Sequence, residues 1–191
     1  MPTWTHPELG TFKYDYTGWA RDLVLPAFKP FRYDWGGRRR MRRKVRFEFD
    51  ADDEDEENIP RPSTRAVAVA LRTIRNQDLL ADRIVKAVWN DLSGRGRESG
   101  MWWHGDLKTA NELIRCVYGD RKPKELAAAE DLYDYMGILL VNIRETSYLH
   151  EKPSATIGFA AAFDDEHGVG ALTDGTRVLG TGYQTDVTPY K

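Results

Sequence analysis

The chain has 191 residues, with 28 basic and 30 acidic side chains for a formal net charge of −2, and a hydrophobic fraction of 41%. Such a length and composition suit one globular domain with its own core and exclude a fibrous or globally disordered protein. The near balance of charge excludes a whole-molecule attraction to nucleic acid or to an anionic membrane, so any such pull has to be local.

The opening MPTWTHPELG lacks the basic start and apolar run of a secretory signal, and no apolar stretch reaches the ~18 residues of a bilayer span. A cytoplasmic protein is the expectation. Residues 9 to 49 read as an N-terminal β-meander: LGTFKYDY, WARDLVL and MRRKVRFEF are aromatic or β-branched pieces punctuated by Gly and Pro. In the third piece Met41, Val45, Phe47 and Phe49 share one face, and Arg42, Lys44, Arg46 and Glu48 share the other, the pattern of a solvated edge strand. The seven basic residues between Arg38 and Arg46 are followed at once by seven acids between Asp50 and Glu57, read as a mobile acidic loop at 50–62. That juxtaposition makes nucleic acid an unexpected partner and leaves Arg42, Lys44 and Arg46 as candidate binding residues. The acidic run lacks the Gly and Glu that an EF-hand needs at its sixth and twelfth positions, which are Asp55 and Arg61 here.

Beyond Pro60 and Pro62 the period becomes helical. Ser63 or Thr64 caps a helix to about Arg75 with Val67, Leu71 and Ile74 in its stripe; Asn76 caps a second to about Leu92, with Leu80, Ile84, Ala87, Val88 and Asp91 in line, stopped by Gly94. Thr109 and Glu112 have capping-box spacing for a third, with Leu113, Ile114 and Val117 inward and Gly119 at its end; Pro123 opens a fourth to about Tyr135. Residues 138–144 and 154–163 then read as strands. In the second, the small face of Gly158, Ala160 and Ala162 invites a helix to pack closely, and Asp174-Gly175 signals a two-residue hairpin. The fold class expected is α+β: an N-terminal β-meander, about four central helices, and a C-terminal antiparallel or mixed sheet with a terminal hairpin, in a single domain over 1–191.

Two stretches carry candidate chemistry. GMWWHGD sets Trp102, Trp103 and His104 before a helix; two adjacent Trp do not easily both point inward, and exposed Trp is enriched at binding hot spots. FDDEHG offers Asp164, Glu166 and His167, which with His104 would be the catalytic residues of a metal-dependent or acid/base hydrolase. On a regular strand Asp164 and Glu166 project to one side and His167 to the other, so convergence needs a bend, which Gly168 permits. The competing structural role has Asp164 or Glu166 accepting backbone N–H bonds across the turn and His167 bridging strands. No HExxH, G-x-S-x-G or phosphate-loop motif appears, and no metal or cofactor is expected. The single cysteine, Cys116, is expected to be buried and unreactive.

The tail SATIGFAAAFDDEHGVGALTDGTRVLGTG resembles the ending of a family of uncharacterised bacterial domains, in which a strand runs into aromatic-Asp-x-Glu-His-Gly and then a hairpin. HPELGTFKYDYTGWARDLVL and the helices from Pro62 to Leu92 resemble that family's opening strands and helical middle. Relatives of that pattern often carry Trp in place of Phe163 and Cys in place of Ala161. The resemblance implies a small cytosolic α+β domain with a binding or toxin-neutralising role and supplies no catalytic residue. The function expected is therefore a non-enzymatic protein-binding module of immunity type whose partner is another protein; the alternative is the hydrolase above.

Overall fold

The computed structural model describes residues 1–35, 38–39, 44–50, 60–146 and 149–190. The strands are β1 (Thr3–His6), β2 (Gly10–Tyr14), β3 (Gly18–Leu23), β4 (Tyr33–Asp34), β5 (Arg38–Arg39), β6 (Val45–Asp50), β7 (Met136–Arg144), β8 (Ser154–Ala161), β9 (Asp164–Thr173) and β10 (Val178–Gly182). The helices α1 (Thr64–Arg75), α2 (Gln77–Leu92), α3 (Leu107–Tyr118) and the single turn α4 (Leu132–Tyr135) lie between β6 and β7. Eight strands form one mixed sheet in the order β1-β2-β3-β6-β7-β8-β9-β10; β4 and β5 form a separate ribbon. The α+β class and the opening meander are as expected. No helix among the described residues is long and apolar enough to cross a membrane.

Cross-strand rows show why this sequence makes this sheet. Trp19, Phe49, Ile143 and Ala155 stand in register, as do Phe47, Val141, Ile157 and Ala171, so the β-period pattern merges into a continuous apolar face. The helices cover it. α1 buries Ala66, Val67, Val69, Ala70 and Thr73, so of the expected stripe Val67 is buried while Leu71 and Ile74 are only partly covered. α2 buries Leu80, Ile84, Val88 and Asp91, as its spacing predicts, with Ala87 partly covered.

The opposite face differs from expectation in two ways. The basic strand β6 is not an edge: it sits between β3 and β7, paired parallel to the latter, because the two halves of the sheet join there. Gly158, Gly170 and Gly182 form a row across β8, β9 and β10 that is covered by the C-terminal segment rather than by a helix, while Gly137, the partner of Ala160, lies against the Tyr33 backbone of β4. A Cβ at Gly170 would run into Val187 and the Tyr183 carbonyl, and one at Gly182 would meet the Asp186 carbonyl. Glycine is needed here for close approach of the C-terminal segment, side chain and backbone alike, not for strand conformation.

Four local expectations are corrected. Asp106, not Thr109, caps α3, accepting the Thr109 N–H at 3.0 Å; its buried line is Ala110, Asn111 and Ile114, leaving Leu113 and Cys116 exposed on other faces. The fourth helix is reduced to a 3-10 turn (Ala129–Asp131) and α4, because the Asn111 side chain engages the Leu126 N–H and C=O at 2.7 and 3.1 Å while Asp131 takes the Ala127 and Ala128 N–H groups. Asn76 does not cap α2 through its side chain, which instead donates to the Gly175 carbonyl at 2.9 Å. The last hairpin has a loop over 174–177, longer than two residues, because Asp174 Oδ1 accepts the Thr176 and Arg177 N–H groups at 2.9 and 2.8 Å. The acidic run 51–59 and Met41 and Arg42 lie outside the described residues.

Candidate functional site

Adjacent tryptophans with opposite fates build the site. Gly94 after α2 and Gly105 before α3 both hold left-handed φ angles, +65° and +71°, and their backbones touch, so the loop between them closes on itself. The Gly94 and Gly105 N–H groups both donate to the Asp91 carbonyl, at 3.0 and 2.9 Å. This closure carries Trp103 and His104 back over the end of α2. Trp103 is fully buried and packs edge-on against Phe163 and Tyr183. Its Nε1–H donates to Asp91 Oδ2 at 2.8 Å. His104 Nδ1 lies 2.6 Å from the other oxygen, Oδ1, and Thr181 donates to Oδ2 at 3.2 Å. Asp91, 1% exposed, thus has its three partners in the interior, as a buried carboxylate requires.

Trp102 turns the other way. It is 37% exposed, and its Nε1–H donates to Asp164 Oδ2 at 2.9 Å. Asp164 Oδ1 accepts the backbone N–H of His167 at 3.0 Å and lies 3.1 Å from its Nδ1. Expected on opposite sides of a strand, Asp164 and His167 meet because the β8–β9 register shifts beside the turn and Gly168 takes a φ of +66°. His167 also stacks on Tyr183, with ring centroids 4.5 Å apart. The result is a repeated unit: each indole N–H and one imidazole converge on a buried aspartate, and the two indoles meet edge to face at 5.9 Å.

No family model, curated protein or solved structure matches the chain.

The remaining residues singled out in the sequence do not join this corner. Glu166 is exposed, and its side chain makes no hydrogen bond or ion pair among the described residues. Arg46 is tied to Asp15 at 2.6 Å, to Thr17 at 2.9 Å and to Glu48, so its charge is neutralised within the sheet. Burial works against that guanidinium, but the bonds to Glu48 and Asp15 outweigh it and hold its pKa up. Lys44 is exposed just ahead of β6, and Arg42 lies outside the described residues. Trp103, expected on a contact surface, instead supports that surface from beneath because its N–H has a buried acceptor.

Four contributors are not among the site residues expected from the sequence: Asp91, placed there only in the stripe of α2, and Thr181, Tyr183 and Tyr190. The signal for Asp91 was present, since a charge closing an apolar helical stripe demands a partner. With the Thr181 proton directed at Asp91, the Tyr190 hydroxyl donates to Thr181 Oγ1 at 3.0 Å; burial first, then the Asp91 charge, pushes its phenol pKa up.

Proposed function

We propose that the chain is a cytoplasmic, non-enzymatic protein-binding module that engages its partner through the Trp102 corner. The observation that carries this reading is the Trp102 side chain, 37% exposed yet fixed through its N–H on buried Asp164. An indole already held in one orientation loses little conformational entropy on docking and offers apolar ring surface, the profile of an interface hot spot. His104 and His167, part exposed on either side, supply a polar rim. A toxin, the partner class implied by the family resemblance, is the first candidate. The test is affinity capture from the native host with the wild type and with Trp102→Ala. A stoichiometric protein partner should bind the wild type and bind the variant about 30-fold more weakly. Equal capture by both forms would overturn the proposal.

A second reading has one observation behind it. A carboxylate holding the Nδ1 side of His104 at 2.6 Å leaves Nε2 free to take a proton, the geometry of a general base. Among the described residues no group of three or more His, Cys, Asp or Glu side chains is disposed to hold a metal, so the acid/base form of the hydrolase is the one retained. Hydrolytic turnover lost in His104→Gln, with the fold intact, would replace the binding role.

A further inference from the structure

The geometry points to a second site, independent of the Trp102 corner: a half-open cationic cleft of about 510 Å³ that binds a small phosphate monoester with an apolar body. It lies between α1, the segment leading into β8, and the tip of the β9–β10 hairpin. Arg65 and Arg72 stand two helical turns apart on α1 with Val69 between them, so both guanidinium groups edge one wall over an apolar floor. Lys152 faces them from the segment before β8, and Leu179 continues the floor on β10.

Local charge decides the ligand's sign. Asp174 is consumed within its own turn: Oδ1 accepts from the Thr176 and Arg177 N–H groups and from the Thr176 hydroxyl, and Oδ2 takes Nε and Nη2 of Arg177 at 3.1 and 3.0 Å. Arg177 and Asp174 therefore cancel. Arg72 gives its Nε–H to the Asp174 carbonyl at 3.1 Å, which fixes the guanidinium while its outer N–H groups remain. The side chains of Arg65 and Lys152 make no hydrogen bond or ion pair among the described residues. Three cations then face one acid, Glu151, in a chain whose net charge is negative. Two forked guanidinium groups and an ammonium suit a dianionic phosphate, and the volume matches small-molecule sites. The apolar floor accounts for a ligand body beyond the phosphate itself.

The test is titration of the isotope-labelled full chain with phenyl phosphate, inorganic phosphate and benzoate, followed by backbone amide shifts. Saturable shifts are expected at Arg72, Gly175 and Arg177, with phenyl phosphate the tightest of the three. Replacing Arg65 and Lys152 together by Ser, both on the surface, should weaken phenyl phosphate at least about tenfold. No saturable shifts, or shifts unchanged in the double variant, would overturn the site. Benzoate binding as tightly as phenyl phosphate would overturn the phosphate assignment, and inorganic phosphate doing so would overturn the role of the floor.

Discussion

Asp91 and Asp164 each collect three contacts, but water can rescue the partners of one far better than those of the other. Asp91→Ala strands the indole N–H of Trp103, which is 0% exposed, at a cost of ~1–3 kcal/mol. Thr181 keeps Tyr190 as a partner, and the His104 side chain, 27% exposed, can turn to solvent. Losing the buried carboxylate also lifts its desolvation penalty, so the total falls below the sum of three charge-assisted bonds, at about 2–4 kcal/mol. That corresponds to a fall in Tm of roughly 6–12 °C for a chain of this size. Asp164→Ala releases Trp102, 37% exposed, and His167, whose side chain is 48% exposed; both can find water, so the loss should be about 1 kcal/mol. Urea unfolding followed by circular dichroism measures both. In a double-mutant cycle, Asp91→Ala with Trp103→Phe should show a coupling of about 1–2 kcal/mol, because Phe removes the stranded donor. Equal losses for the two aspartates, or strict additivity in the cycle, would refute the argument that exposure of the donors sets the cost.

Gly170→Val forces a side chain into the space of Val187 and the Tyr183 carbonyl; it should cost about 1–3 kcal/mol and speed hydrogen exchange at the Tyr190 amide, which bonds to the Leu179 carbonyl at 2.8 Å. Burial alone would raise the pKa of Asp174, but its bonds to Thr176 and Arg177 outweigh that and hold the carboxyl well below its ordinary value of 3.8. A depressed carboxyl contributes stability that is full above 3.8 and lost as pH falls through the folded value, so Asp174→Asn should be less stable near neutrality and the gap should close in acid. A gap that stays constant across a series of urea melts would contradict this. Cys116, exposed on α3, should react with a thiol reagent in the native state at a rate close to that in denaturant.

Local periodicity carried the reading furthest. The apolar positions Val45, Phe47 and Phe49 and the stripe from Leu80 to Asp91 are properties of neighbouring residues and are buried as expected, although Glu48, expected on the water face, is buried too beside Arg46. The misses share a non-local cause. The helix expected after Pro123 gives way to side chains of Asn111 and Asp131 that take its backbone groups. The glycine face was recognised, but its cover is the C-terminal segment, and nothing in SATIGFAAAF says which distant piece will lie on it. TWTH is short and runs into Pro7, so it carries little strand signal of its own, yet it forms β1 and buries Trp4. At the site, Trp102, Trp103, His104, Asp164 and His167 were all singled out, yet their pairing was not. Trp102 reaches 62 residues along the chain to Asp164, and Thr181 reaches 90 back to Asp91.

The strand order of the large sheet follows the order of the chain, so most neighbours zip together across short connections. The one parallel pairing among the described residues, β6 with β7, must instead bridge the whole helical insert. Closing so long a span is entropically dear and slow to find, whereas hairpins close early. The midline junction is therefore the expected slow step of assembly, with the hairpins on either side closing before the two ribbons join.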